Sequence, residues 1–217
     1  MNLSKYKTLI FDCDGVVLDS NKVKTNAFYK VALPYGEEAA QALVDYHIAN
    51  GGISRYKKFQ YFLREIVSHT DRDQGTEQLL GAFACEVRKG LLTCGVAQGL
   101  QELRKQTRNA NWLIVSGGDQ AELKEIFNKR ALASLFDGGI FGSPDTKDQI
   151  LAREINNFNI KKTAVFLGDS KYDLEAAKRA GLDFIFVSSW SEWTPVKSCE
   201  TKIDYNIMHL KEIIANS

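Results

Sequence analysis

Short runs of mostly apolar residues recur along the chain, and polar residues end them. The runs occupy residues 8–11, 112–115, 164–167 and 184–187. Runs of about four to six residues that are apolar throughout, instead of alternating with polar ones, are typical of strands buried on both faces of a parallel sheet. We therefore predict parallel strands at these positions.

Helical patterns follow several of these strands. One predicted helix comes after Asp119, one lies between Ser170 and Gly181, and one begins near Pro144, which the first turn of a helix tolerates. Their apolar faces comprise Leu123, Ile126 and Phe127, then Leu174 and Ala177, and then Ile150, Leu151 and Ile155. Strand–helix–strand alternation predicts an α/β fold with a Rossmann-like core around a central parallel sheet.

The segment between the first two predicted strands carries only helical signals. Its apolar residues recur at helical spacing in the stretches Val23/Ala27/Val31, Ala40/Leu43/Val44/His47/Ile48, Tyr56/Phe59/Leu63/Ile66 and Leu79/Phe83/Val87. His47 lies on one of these apolar faces, and we interpret it as a core histidine. Roughly 75 residues of inserted helix predict a separate lobe. We therefore predict two domains, a core of residues 1–18 and 95–217 and an all-helical domain of residues 19–94.

Composition and charge narrow the classes of function. With 28 Lys+Arg against 27 Asp+Glu the net charge is +1, and no basic block is present, so we expect no nucleic-acid partner. No run approaches the roughly 18 apolar residues of a membrane span, and no signal-peptide pattern opens the chain, so we expect a cytoplasmic protein without membrane contact. The cysteines (Cys13, Cys85, Cys94, Cys199) and histidines (His47, His69, His209) lack the spacing of a zinc site or a disulfide scaffold.

Polar residues whose side chains could take part in catalysis or binding lie near the ends of the predicted strands, where ligands bind in open α/β sheets. The candidates are Asp12 and Asp14, Ser116 and Gly117, Lys147, Asp169 and Asp173. Carboxylates gathered in this number repel one another unless a cation joins them, and a hard divalent ion such as Mg²⁺ prefers oxygen ligands. The remaining groups are hydrogen-bond donors, and donors that face a metal ion are typical of a phosphate site.

Four motifs in this sequence resemble those of the haloacid dehalogenase superfamily, and they occur in the family's order. FDCDGVV at residues 11–17 resembles the first motif and VSGG at residues 115–118 the second. Lys147 resembles the third motif, and GDSxxD at residues 168–173 matches the fourth. The resemblance spans essentially the whole chain. The helical segment lies where subfamily I members carry a C1 cap, so the resemblance implies a capped core of the phosphoglycolate phosphatase or β-phosphoglucomutase type.

This resemblance implies a Mg²⁺-dependent phosphomonoester hydrolase that acts on a small phosphorylated metabolite, either a sugar phosphate or a phospho-acid. Asp12 would be the nucleophile and would form an aspartyl-phosphate. Asp14 would protonate the leaving oxygen and then deprotonate the water that hydrolyses the intermediate.

The same resemblance implies which residues bind the metal and the phosphoryl group. Mg²⁺ would be held by Asp12, the backbone carbonyl of Asp14 and Asp169, with Asp173 acting through a water molecule or from behind the direct ligands. The phosphoryl oxygens would be bound by Ser116, the Gly117 amide and Lys147, whose charge would also offset that of Asp12.

Specificity in this family depends on the cap. Residues 52–55 resemble the cap loop of β-phosphoglucomutase-like members, which makes Arg55 the candidate for contacting an anionic or sugar portion of the substrate. Lys57 and Lys58 could assist, although the three cannot all face one way on a single helix. Lys24 occupies a position where the mutases carry a histidine, and this departure argues against mutase activity.

Several alternatives stay open at this point. A phosphomutase would share every core residue. A dehalogenase would use the first aspartate without metal, and Asp14 argues against it. A non-enzyme alternative is a phosphate-binding or phospho-signalling module, since receiver domains also gather acids, a hydroxyl and a lysine around Mg²⁺, although they are much shorter and lack a cap. We expect a monomer or a homodimer.

Overall fold

The computed structural model describes residues 3–68, 72–195 and 203–215. At its centre is a parallel sheet of six strands in the order β3-β2-β1-β4-β5-β6. The strands are β1 (Thr8–Phe11), β2 (Asn111–Asp119), β3 (Gly139–Ser143), β4 (Ala164–Gly168), β5 (Asp183–Val187) and β6 (Tyr205–Ile207). The predicted strands are confirmed as β1, β2, β4 and β5. The remaining two, β3 and β6, escaped prediction because one begins with glycine and the other has only 3 residues, mostly exposed.

Helices fill the segment between β1 and β2, as predicted. They are α1 (Asn21–Ala32), α2 (Glu37–Ala49), α3 (Arg55–Tyr61), α4 (Arg72–Thr93) and α5 (Leu100–Gln106), and a π-helical turn (Phe62–Ile66) continues α3. The later helices are α6 (Gln120–Lys129), α7 (Lys147–Asn156), α8 (Lys171–Arg179) and α9 (Lys211–Ala215), with single 3₁₀ turns at Leu3–Lys5, Leu33–Tyr35 and Ala133–Leu135. No helix in the described ranges is both long and apolar enough to span a membrane.

The sheet separates two apolar clusters because side chains alternate along each strand. On one face Ile10 packs with residues of α7 and α8. On the other face Leu9 and Phe11 belong to a cluster that also holds apolar residues of α5, α6 and α9. The buried apolar residues of α1–α4 join this second cluster. The helical segment therefore packs continuously with one side of the sheet, and its boundaries as a separate domain stay a prediction.

Side-chain caps determine where the helices near the sheet edge begin. Asp119 caps α6 by accepting a hydrogen bond from the Glu122 amide at 2.9 Å. Thr146 caps α7, so this helix begins at Lys147 and the prediction that Pro144 lies in its first turn is wrong. Ser170 and Asp173 form a reciprocal capping box at the start of α8.

Of the cysteines, Cys13, Cys85 and Cys94 are free thiols, whereas Cys199 and His69 lie outside the described residues.

Candidate active site

The strand order brings the polar ends of β1, β2 and β4 together. Phe11 is in register with Ile114 on one side and with Leu167 on the other. Asp12, which directly follows β1, donates its backbone N–H to the Leu167 carbonyl at 2.9 Å. Ser116 and Asp169 therefore reach the same edge of the sheet as Asp12, as predicted from the ends of the apolar runs.

A cluster of three buried carboxylates forms at this edge. Carboxylate oxygens of Asp12, Asp169 and Asp173 lie within 4.8 Å of one another. Burial, the largest cause, raises the pKa of Asp12 to about 7; the ammonium of Lys147 opposes this, and the neighbouring carboxylates add to it. Burial and the charges of Asp12 and Asp173 hold the pKa of Asp169 well above its usual range. The cluster is thus a site where negative charge is costly without a cation.

Lys147 lies inside this cluster at the first position of α7. Its Nζ is 2.8 Å from Asp12 Oδ2 and also contacts Asp173 Oδ1. The side chain is fully buried, which disfavours the ammonium, but the charges of Asp12 and Asp173 outweigh burial and raise the pKa of Lys147 above its usual range. The lysine is therefore charged and holds two of the carboxylates in place.

The oxygens of Asp173 are already taken by protein donors. Asp173 Oδ2 accepts from the Ser170 hydroxyl at 2.7 Å and the Ser170 amide at 3.1 Å, while Oδ1 accepts from Lys147. Asp12 Oδ1 accepts from the Cys13 amide at 2.7 Å, and Asp169 Oδ2 accepts from Asn21 Nδ2 at 2.7 Å. Asp12 and Asp169 thus have more lone pairs free to accept a ligand than Asp173 has. Asp173 instead orients Lys147 and the start of α8.

The donor set of this cluster fits a hard divalent cation. It consists of carboxylate oxygens alone, and three buried carboxylates face a single ammonium, so the excess negative charge would be neutralised by an ion such as Mg²⁺. Gly15 keeps the approach open, because it adopts a φ of 74° and a Cβ there would lie 2.0 Å from Asp169 Oδ2.

We expect Mg²⁺ to stabilise the protein more at about pH 8 than at about pH 5. Because the pKa of Asp12 is raised from 3.8 to about 7, the folded protein holds a proton that the unfolded chain has released between these values. The free energy of unfolding of the metal-free protein should therefore fall as pH rises through this window, and Mg²⁺ should restore it where the carboxylates are ionised. Thermal unfolding with MgCl₂ or EDTA at both pH values measures this. An equal Mg²⁺ shift at both pH values would contradict the prediction.

Asp14 comes two residues after Asp12 in the chain, but its side chain is directed away from the acidic cluster. The Ser20 hydroxyl donates to Asp14 Oδ1 at 2.6 Å, and Lys24 Nζ contacts Oδ2. Burial disfavours the carboxylate, but the charge of Lys24 and the two hydrogen bonds outweigh it and hold the pKa of Asp14 below its usual range. Asp14 is therefore an ionised group at the edge of the site, next to a lysine whose own pKa Asp14 raises against the effect of burial.

Ser116 and Gly117 line the opposite side of the site. Ser116 is fully buried, and its Oγ accepts from the Gly118 amide at 3.0 Å, which leaves its own O–H to donate. A Cβ on Gly117 would lie 2.3 Å from the carbonyl oxygen of Gly52, so only glycine fits here. The loop between α2 and α3 thus rests directly on the end of β2.

Arg55 forms a contact between the helical segment and the core. Its guanidinium forms a bidentate ion pair with Glu122 of α6, with Nη1 3.1 Å from Oε2, and the neighbouring Tyr56 hydroxyl donates to Asp119 Oδ2 at 2.8 Å. Arg55 is buried and lines the cavity above Asp12. In this arrangement the guanidinium of Arg55 is bound to the Glu122 carboxylate. Its role in substrate specificity stays a prediction.

The cavity above the acidic cluster contains residues to which sequence reasoning gave no role. Its polar lining comprises Asp12, Asp14, Asn21, Lys24, His47, Arg55, Lys58, Asp169, Ser170 and Glu192. Asn21 and Glu192 were missed, and His47 was interpreted only as a core residue. Helical spacing could have indicated that Lys58 lies on the same face of α3 as Arg55, because the two are three residues apart. Lys57 lies on another face and is exposed.

Comparisons with known proteins agree with this geometry. The sequence model of one family, described as haloacid dehalogenase-like hydrolase, matches residues 6–181. A protein of Thermotoga maritima named phosphorylated carbohydrates phosphatase is 27% identical over 188 residues, which cover 83% of this chain and 84% of the relative.

Solved structures share the fold at low sequence identity. One, named as a candidate haloacid dehalogenase-like hydrolase from Bacteroides fragilis, has a TM-score of 0.76 at 21% identity and covers 96% of this chain and 100% of its own. Another, named as a predicted phosphoglycolate phosphatase from Haemophilus somnus, has a TM-score of 0.77 at 15% identity and covers 99% of both chains.

Proposed function

This chain belongs to the haloacid dehalogenase-like hydrolases, and from that premise we propose that it is a Mg²⁺-dependent phosphatase of small phosphomonoesters. The observation that carries the proposal is the buried Asp12 carboxylate, 2.8 Å from the Lys147 ammonium and within 4.8 Å of Asp169 and Asp173. A carboxylate beside a fixed ammonium and an oxygen-only cation site suits in-line attack on phosphorus. The name of the Thermotoga relative, a phosphatase of phosphorylated carbohydrates, supports the same reaction class.

In the first half-reaction Asp12 attacks phosphorus and the ester oxygen leaves, which forms an aspartyl-phosphate. Lys147 offsets the charge of Asp12 and, with the Ser116 hydroxyl and the Gly117 amide, binds the phosphoryl oxygens. Asp12, Asp169 and the Asp14 carbonyl, with Asp173 behind them, would hold Mg²⁺, which would neutralise phosphoryl charge when bound.

Asp14 moves the protons of both half-reactions. Asp14 passes to the leaving oxygen a proton that it takes from the Lys24 ammonium, which contacts it directly, and the proton taken from water in the second half-reaction restores that ammonium. In the second half-reaction the Asp14 carboxylate accepts a proton from the water that attacks the aspartyl-phosphate. The lowered pKa of Asp14 favours this second role, because the base is already ionised at neutral pH.

We further propose that residues 19–94 act as a cap over the core. The loop carbonyl of Gly52 lies against Gly117, and the Arg55–Glu122 ion pair joins α3 to α6. These contacts close the space above Asp12 and exclude bulk water from the phosphoryl group.

The experiment that tests the proposed function measures phosphate release from a panel of sugar phosphates and phospho-acids. We expect turnover that falls by at least about 100-fold in EDTA and returns with MgCl₂. Interconversion of sugar phosphate isomers without net phosphate release would instead support a phosphomutase. Slow self-phosphorylation from acetyl phosphate without turnover would support a signalling module, and either result would overturn the phosphatase proposal.

A further inference from the structure

Lys58 is a buried cation that forms no ion pair with a carboxylate of the described residues. It lies on the inner face of α3, is 2% exposed, and its Nζ is 2.6 Å from His47 Nδ1. In the described ranges of the chain, no carboxylate lies within ion-pair distance of this ammonium. Its other close neighbours are the His47 carbonyl oxygen at 3.5 Å and the ring of Phe28.

His47 contacts the Lys58 ammonium with one ring nitrogen and carries an unused donor on the other side of the ring. Because an ammonium only donates, we assign His47 Nδ1 as the acceptor, which places the imidazole proton on Nε2. His47 Nε2 is buried and has no hydrogen-bond partner in the part of the chain that the structure describes. Burial and the charge of Lys58 hold the pKa of His47 well below its usual range, so the ring is neutral. A buried donor without a partner is costly, and such groups call for a ligand or water.

Both residues line the cavity that contains Asp12 and Asp14. The other two cations of this lining are already paired, Lys24 with Asp14 and Arg55 with Glu122. Glu192, the acid that lines the cavity outside the catalytic edge, accepts hydrogen bonds from Thr25. Lys58 is thus the cavity cation without an ion-pair partner among the described residues, although the charges of Asp14 and Glu192 act on it from farther away. Burial first, and the charge of Lys24 second, lower its pKa to about 7.

We propose that Lys58, held in place by His47, forms a subsite for a carboxylate on the leaving group, so that the preferred substrates are phosphorylated hydroxy acids, sugar acids included. This inference rests on the proposed phosphatase function. The Lys58 ammonium has further N–H donors besides the one directed at His47 Nδ1, and a carboxylate would accept from them and supply the ion-pair partner that Lys58 lacks among the described residues. A neutral sugar hydroxyl would leave the ammonium uncompensated, and the site would discriminate against it.

The test uses pairs of phosphomonoesters that differ in the carboxylate alone. One pair is phosphoglycolate and ethyl phosphate, and the other is gluconate and glucitol phosphorylated at the same terminal carbon. We expect wild-type kcat/KM to be at least about tenfold higher for the acid of each pair. Lys58→Met should lower kcat/KM for the acids by about 100-fold and change it for the neutral esters by less than about threefold. His47→Phe, which keeps a ring against Phe28, should lower kcat/KM for the acids only.

Lys89→Met is the matched control, because Lys89 is an exposed lysine of the same helical segment. Equal wild-type rates within each pair would overturn the proposal, and so would an equal loss for both members in Lys58→Met. Should Lys58→Met fail to fold, the wild-type ratios and His47→Phe decide. A readout without turnover separates this inference from the proposed function: glycolate should raise the Tm of the wild type and not that of Lys58→Met, even if no ester is hydrolysed.

Discussion

Asp12→Asn is expected to lower kcat for phosphate release by about 10⁵-fold, because an amide does not attack phosphorus and no other carboxylate takes its place. Asp173 is held by Lys147 and Ser170, and Asp169 by Asn21. The loss should therefore lie in the chemical step and not in substrate binding. Steady-state phosphate release measures the loss, and acid quenching with labelled substrate should trap a phosphorylated protein in the wild type alone.

The same variant should remain folded, which makes the result interpretable. Burial raises the pKa of Asp12 to about 7, so replacing it with a neutral amide removes a costly charge in the metal-free protein. We expect the Tm in EDTA to be unchanged or higher and the Mg²⁺-induced increase to be smaller. Asp45→Asn, at an exposed position of α2, is the control and should keep full activity. More than about a tenth of wild-type activity in Asp12→Asn would refute a nucleophilic role.

Asp14→Asn is expected to lower kcat by about 10³-fold and to leave the Mg²⁺-induced Tm increase in place. Turnover should be lost without loss of the Mg²⁺ effect, because the Asp14 side chain contacts Ser20 and Lys24 and is not part of the acidic cluster. Its backbone carbonyl, the proposed ligand, is unaffected by the substitution.

A substrate with a good leaving group distinguishes the two proton transfers of Asp14. p-Nitrophenolate leaves without protonation, so Asp14→Asn should still form the aspartyl-phosphate from p-nitrophenyl phosphate but hydrolyse it slowly. We expect a burst of about one p-nitrophenolate per protein followed by slow turnover. Asp19→Asn, at an exposed residue of the same loop, is the matched control. Unchanged steady-state rates would exclude an acid/base role for Asp14, and a lost Mg²⁺ effect would make its side chain a metal ligand.

Much of the fold could be predicted because buried parallel strands have a strong local signal. The runs that became β1 and β4 are almost entirely apolar, and every residue of both strands is buried. β3 carried a weaker signal, since Gly139 begins it and Gly142 interrupts it. β6 pairs only with β5 at the edge of the sheet, so it needs few apolar residues.

The catalytic edge of the site could also be predicted, because strand ends determine it. Asp12 and Asp169 directly follow β1 and β4, Ser116 lies in the second half of β2 between them in the chain, and the topology of the sheet brings all three together. The structure places the carboxylate of Asp173 in the same acidic cluster and also gives this residue a structural contact. It caps α8 through Ser170 and contacts Lys147 with its other oxygen.

The helical segment was predictable in its elements and not in its contacts. Periodicity indicated that α3 has an inner face, but it did not say that Arg55 would pair with Glu122 of α6 or that Lys58 would contact His47 of α2. His47 was interpreted as a core histidine, and it is buried, yet it also lines the cavity.

The sequence by itself determined four of the six strands, the helices between them, the acids at the strand ends and the family resemblance. Each of these depends on residues that are close in the chain or on the general geometry of parallel sheets. Only the tertiary structure decided which charges are compensated: Asp14 by Lys24, Asp12 by Lys147, and Lys58 by no carboxylate of the described residues. The physical reason is that the energy of a buried charge depends on atoms within a few ångströms that come from distant parts of the chain, and local patterns carry no information about those distances.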